Sequence, residues 1–215
     1  PMVKDSEDER YCEIEANKAM LALTLNGGGP AHINMYTRYS KDFSVKELPH
    51  ANAIYRHTVF EKEWPELPQD GKIMVRIGSH TDFSEELTQA VDAFCATYDA
   101  IVCCDHTSGY RGKYEVHSQI LCAQNQWASP LTKTNLSIHI GEVSGDGFIC
   151  SANHVWRVNP DGALRDTFGN LRRVFMMPEI EFFKHYAKEA ASHHEYLDSL
   201  NHEIESVKAQ IPELP

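Results

Sequence analysis

KIMVRIGSHTDFSEELTQAVDAFCATYDAIVCCD, residues 72–105, is the stretch on which the fold turns. Its apolar run Ile73–Ile77 has the length and composition of a strand. Phe83, Leu87, Ala90, Val91, Phe94 and Tyr98 then form one apolar stripe at helical spacing, so residues 83–98 are expected as a helix. Ala100–Cys104 is a second apolar strand, closed by Asp105. The His80-Thr81-Asp82 step before the helix has two readings. Asp82-Phe83-Ser84-Glu85 fits a capping box, with Asp82 accepting from the first helical amides and Glu85 reaching back. Alternatively, His80 and Asp82 lie two apart in extended chain, share a side, and present a nitrogen and a carboxylate oxygen to one metal ion.

Upstream, Tyr11, Ile14, Lys18, Leu21 and Leu25 fall at helical spacing behind an acidic first turn, and Asn26-Gly27-Gly28-Gly29-Pro30 stops that helix. The triple glycine follows a helix and lacks the Lys-Ser/Thr of a phosphate-binding loop, so it reads as a turn. INMYTRYS (33–40) and NAIYRHTVF (52–60) are strand-like, as is Tyr114–Ala123. Leu136–Val143 alternates, with Leu136, Ile138 and Ile140 on one face and Ser137, His139 and Gly141 on the other. A turn at Ser144-Gly145-Asp146-Gly147, a long strand Phe148–Val158, a turn at Asn159-Pro160-Asp161-Gly162 and a last strand Arg172–Met177 follow. Pro178 then opens a helix running to about Ala209. The expected organisation is one domain, 1–215: an N-terminal helix within 1–26, a β-rich core over 32–177 carrying helix 83–98, and a C-terminal helix over 178–209. That is an α+β fold. Its alternative is an α/β sheet in which 72–105 is a βαβ unit.

Composition narrows the function classes. With 42% hydrophobic and 24% charged residues the chain is globular, soluble and able to bury a core. A net charge of -11 speaks against an extended nucleic-acid surface. No apolar run has the ~20 residues of a membrane span. The acidic opening PMVKDSEDER is unlike a signal peptide, and the six cysteines form no CxxC pair. Reduced thiols in a cytoplasmic protein are the expectation.

Two stretches resemble the iron(II)/2-oxoglutarate-dependent oxygenases. VRIGSHTDF (75–83) is similar to the family's His-x-Asp strand, and LSIHIGEVSGDGFICSANHVWRV (136–158) to its later stretch, where an Ile-Gly-acid turn precedes the distal histidine. The resemblance implies a double-stranded β-helix in the β-rich middle. It also implies His80, Asp82 and His154 as iron ligands, and Arg165 or else Arg173 as the partner of the 2-oxoglutarate carboxylate. The activity implied is oxidation of a small or peptide-like substrate, with Fe(II) and 2-oxoglutarate as cofactors. Strand parity places His154 on the face of Cys150, Ala152 and Trp156, where a ligand or a core histidine would both sit.

Two other readings stand beside it. If 72–105 is a βαβ unit, ligands gather beyond the carboxyl ends of its strands, where His80 would neighbour Asp105 and His106. A hydrolase would then use His106 as base with Asp105 orienting it. The third reading is a binding or regulatory protein that oligomerises through its C-terminal helix, whose residues 192–209 carry an apolar side. A parallel pairing of Ile73–Ile77 with Ala100–Cys104 separates these readings, because the oxygenase fold does not contain it.

Overall fold

The computed structural model describes residues 3–36, 38–39, 41–44, 46–47, 50–68, 71–123, 129–142, 150–188 and 192–211. The chain divides into two compact units, 1–56 and 57–215. In the first, α1 (Ser6–Ala22) starts at Asp5, whose carboxylate accepts the amides of Glu7 and Asp8. Asn17 on this helix accepts from the Ile54 amide at 2.8 Å and donates to the Asn52 carbonyl at 2.9 Å, which fastens the unit's last residues to its helix. The described residues of 33–40 form no strand, and within 52–60 only Tyr55–Thr58 does (β1).

The second unit is built on β2 (Ile73–Ile77), α2 (Glu85–Tyr98), β3 (Ile101–Cys104), α3 (Gln119–Cys122), β4 (Lys133–Ile140), β5 (Ser151–Val158), β6 (Leu171–Met176), α4 (Glu179–Tyr186) and α5 (Glu195–Lys208). The strands lie in the order β1-β6-β5-β4-β2-β3. The pairs β2–β3, β2–β4, β4–β5 and β5–β6 are all parallel. The fold is therefore mixed α/β with helices flanking the sheet, as in the alternative reading. The double-stranded β-helix is not formed, and the reason is local. Residues 83–98 have a strong helical stripe, so the chain after β2 crosses over in a helix and returns parallel.

The helix cap differs from both readings of Asp82. Ser84 is the N-cap, its hydroxyl accepting the Leu87 amide at 3.1 Å, and Asp82 stands exposed two residues earlier. Two other elements differ. Tyr114–Ala123 is a single bridge between Val102 and Glu115 followed by the short α3, because the turn at Ser118 ends the extended chain. The C-terminal helix is broken: Ala187 is extended (ψ 140°), and α5 begins afresh after His194. The break lets the chain round the end of α2, where the His193 amide donates to the Ala96 carbonyl at 2.9 Å and the Tyr196 amide to Asp99 at 3.0 Å. The turn expected at 144–147 and the start of the strand at 148–149 lie outside the described residues.

Register gives the sheet two faces. On one, Val75, Ile138 and Trp156 stand in a row, and Phe175, Phe182, Phe94 and Phe183 pack over it with centroid separations of 4.8–6.4 Å. This brings α2 and α4 onto that face. The other face carries the row Cys103, Arg76, His139 and Arg157, which is buried all the same. The apolar side of α5 expected as an oligomer interface (Tyr196, Leu197, Leu200, Ile204, Val207) is buried within the chain's own fold. Among the described residues no helix is long and apolar enough to cross a membrane.

Candidate functional site at the carboxyl edge of the sheet

From β2 the chain proceeds through α2 to β3 on one side, whereas β4 lies on the other side and leads towards β5 and β6. The direction of winding reverses between β2 and β4, and in open α/β sheets ligands bind outside the carboxyl ends of the strands at such a point. Here the two strand ends are clasped. Gly78 donates to the Ile140 carbonyl at 2.9 Å, and Ser79 and Glu142 exchange backbone hydrogen bonds of 2.8 and 2.9 Å. The clasp requires glycine twice. A Cβ on Gly78 would stand 1.7 Å from the Glu142 carbonyl oxygen; Gly141 has φ +70°, and its Cβ would meet the His80 ring at 2.3 Å.

His80 locks this clasp to α4. Its Nδ1 lies 2.9 Å from the Gly78 carbonyl oxygen and its Nε2 3.0 Å from Glu179 Oε2. Carbonyl and carboxylate oxygens only accept, so both ring nitrogens donate and the ring is the imidazolium. Burial pulls the His80 pKa down, but the hydrogen bond and charge of Glu179, with the Gly78 carbonyl, outweigh it and leave it raised. The other oxygen of Glu179 accepts the Gly141 amide at 2.9 Å. Glu179 is the first residue of α4, where the helix N-terminus favours negative charge. With both nitrogens engaged, His80 is a strap in this arrangement and not a free base.

Beside the strap lies the charged row. Arg76, His139 and Arg157 are paired neighbours across β2, β4 and β5, each at most 6% exposed. Burial, then the charges of Arg76 and Arg157, push His139 down to about 3, so it is neutral at pH 7. Phe168 covers the row, with the Arg76 guanidinium 4.3 Å from its centroid and His139 edge-on at 5.6 Å. One terminal nitrogen of Arg157 donates to the Gly141 carbonyl, whereas its buried Nε meets no hydrogen-bond partner among the described residues. Outward of it, Arg165 is forked on Asp161 (3.0 and 2.6 Å) and stands a loose 3.8 Å from the largely exposed Glu142. That fork holds the Asp161 carboxyl well below its usual range.

The residues expected from the sequence are distributed as follows. The His80 amide donates to the Thr107 carbonyl at 3.1 Å, so His80 and the 105–107 turn are neighbours at one edge, as a βαβ unit requires. Within that turn Asp105 spends Oδ1 on the Thr107 amide and hydroxyl (2.7 and 2.6 Å), and His106 is exposed. His154 is paired with Leu136, which is paired with Ile73, at the amino end of β2. Ile77 is already about 13 Å further along, and His80 lies beyond it. His80, Asp82 and His154 are thus not gathered around one point, and His154 and Asp82 are both exposed. This arrangement does not fit an iron centre, whose ligands must all reach one ion. Among the described residues no three His, Cys, Asp or Glu side chains converge as metal ligands. Arg173 lies elsewhere, 2.9 Å from His57 and above Trp156. Arg76, His139, Arg157 and Glu179 escaped the sequence reading. The available signal was a charged or titratable residue inside an apolar strand, as in IMVRI, LSIHI and VWRV.

No family model matches the chain. A 71-residue stretch is 35% identical to the 2-succinyl-5-enolpyruvyl-6-hydroxy-3-cyclohexene-1-carboxylate synthase of Phocaeicola vulgatus, and a stretch of the same length is 32% identical to the enzyme of that name from Bacteroides thetaiotaomicron. In each case the match covers 31% of this chain and 13% of the synthase, so the similarity extends to a small part of those proteins.

Proposed function

We propose that this chain supplies an α/β domain to a synthase of the kind for which these two relatives are named, and that it recognises a carboxylate-bearing small molecule at the carboxyl edge of its sheet. The observation that carries the reading is the 71-residue match to an enzyme whose named product bears several carboxylates. Two structural features support it. Met35, Tyr36, Tyr39 and Phe43, close together in sequence, are each 77% exposed or more, as large apolar side chains are where further protein covers them. At the edge, Arg165 contacts acidic groups that an incoming carboxylate can replace at little electrostatic cost, since one charge pair is exchanged for another. Arg157 stands behind it with an Nε donor that meets no partner among the described residues.

Oxidation by iron and 2-oxoglutarate has no support in the placement of His80, Asp82 and His154. In the hydrolase reading, Asp105 spends Oδ1 on Thr107 and His80 is engaged at both nitrogens, while His106 is exposed. Calorimetric titration with succinate, against the uncharged succinamide, tests the proposal. Saturable binding of succinate alone, weakened at least tenfold in Arg165→Gln, is expected. Indistinguishable heats from the two compounds, or an Arg165→Gln variant that binds as wild type does, would overturn the assignment of this edge.

A further inference from the structure

Two side chains at the end of β5 carry buried polar atoms that nothing among the described residues satisfies: Arg157 Nε and Asn159 Oδ1. Arg157 is 3% exposed and Asn159 5%. The Asn159 amide still donates to the Phe175 carbonyl of β6 at 3.1 Å, so the strand pairing continues to that residue. Residues two apart on a strand share a face, and both side chains therefore belong to the polar one. Ser137 Oγ is also unmet, but it lies one row further from the carboxyl edge, paired with Val155.

A series of contacts joins Arg157 and Asn159 a second way. Arg157 donates to the Gly141 carbonyl, and the next residue, Glu142, stands 3.8 Å from Arg165. Arg165 is forked on Asp161, whose Oδ1 also accepts from the Asn159 side-chain amide. That amide lies 3.4 Å from the Ala163 carbonyl as well. Its orientation follows from chemistry: turned over, its oxygen would face a carboxylate and a carbonyl, which only accept. The unmet atom of Asn159 is thus an acceptor, and that of Arg157 a donor.

The two atoms ask for opposite partners. A carboxylate oxygen meets Arg157 Nε, but an ionised carboxylate has no proton to give Asn159 Oδ1. Their residues are about 7 Å apart along the strand, a gap that a carboxylate and a donor on the neighbouring carbon span with one hydrogen bond at each end. An ammonium donor would lie beside the Arg157 and Arg165 guanidiniums and be repelled; a hydroxyl donates without a charge. Resting on the carboxylate reading of this edge, we propose that its ligand is a 2-hydroxy acid. The arginines take the carboxylate, and Asn159 is the specificity residue that accepts from the hydroxyl. Malate, which is succinate with one such hydroxyl, is the simplest probe.

The test is calorimetric titration of the full chain with succinate, each enantiomer of malate, aspartate and 2-methoxysuccinate, which keeps malate's oxygen without its proton. One malate enantiomer should bind about tenfold tighter than succinate, since it meets a buried acceptor that succinate leaves unmet. Neither 2-methoxysuccinate nor aspartate should bind tighter than succinate. Asn159→Leu, shown by far-UV circular dichroism to be folded, should bring the malate and succinate affinities together. The methoxy comparison needs only the wild type, so it stands if that variant does not fold. Succinate binding with malate or 2-methoxysuccinate on equal terms, aspartate binding tighter than malate, or a folded Asn159→Leu that keeps the preference for malate would overturn the hydroxyl assignment and leave the carboxylate reading standing. Binding of none of these compounds would overturn the carboxylate reading itself, and this inference with it.

Discussion

The two faces of the sheet are both buried, yet they are made of opposite materials. Under α2 and α4, Trp156, Phe175, Phe182, Phe94 and Phe183 interlock ring against ring, with the Arg173 guanidinium lying over Trp156 at 5.6 Å. On the reverse, Arg76, His139 and Arg157 occupy the same depth of burial. A buried arginine or imidazole contributes less to folding than an aromatic ring of similar size, and it carries a desolvation cost as well. The difference teaches where the molecule is held together and where it is arranged for something else. The aromatic face stabilises the sheet. The other face carries a buried charged row beside the clasped switch point, where the proposed carboxylate would bind.

Breaking the aromatic face should have the largest effect. Phe182 is fully buried and touches Phe94, Phe175, Phe183 and Tyr186, so Phe182→Ala should cost about 3–5 kcal/mol in urea unfolding, with anion binding preserved in the fraction that stays folded. A loss below about 1 kcal/mol would show that α4 is not part of the core.

Acid should act through the other face. The unfolded chain protonates His139 near 6.5, whereas the folded chain keeps it neutral down to about 3. Between those values the unfolded state binds the extra proton, so stability falls as pH drops through that window. At pH 5 the loss is roughly 2 kcal/mol, at about 1.4 kcal/mol per pH unit. The acid slope of wild type minus that of His139→Gln isolates it; equal slopes would place His139 in contact with solvent.

The strap should give the smallest of these effects and the opposite sign. His80 is raised in the folded state, so its contribution is complete below the unfolded value of 6.5 and is lost as pH rises through the folded value. Glu179→Gln removes the charged partner and should cost about 1–2 kcal/mol on the acid side of that window, and less above it. A variant whose deficit grows with rising pH would contradict the imidazolium assignment.

The sequence made the aromatic face easy to read and the charged face hard. The stripe from Phe83 to Tyr98 and the apolar runs at 73–77 and 100–104 specify strand, helix and strand, and those elements form as expected. The alternation of Ile138 and His139 also holds, though both faces of a central parallel strand are covered, so polarity did not mean exposure. The His-x-Asp spacing of His80 and Asp82 is local and carries no information that His154 belongs at the far end of the sheet. That follows from register, which a local motif does not encode. Glu179 was invisible for the same reason: it lies 99 residues from His80 and opens α4, which follows β6 on the far side of β5 from β4.

The most direct test of the contrast between the faces is a paired measurement on Arg157→Met: unfolding free energy and succinate affinity on the same sample. Methionine fills similar volume without the buried charge, so stability should stay within about 1 kcal/mol of wild type or rise, while succinate binding falls at least tenfold. A variant that loses several kcal/mol and binds succinate as wild type does would contradict the account, because Arg157 would then be structural and the charged face would be core like the other.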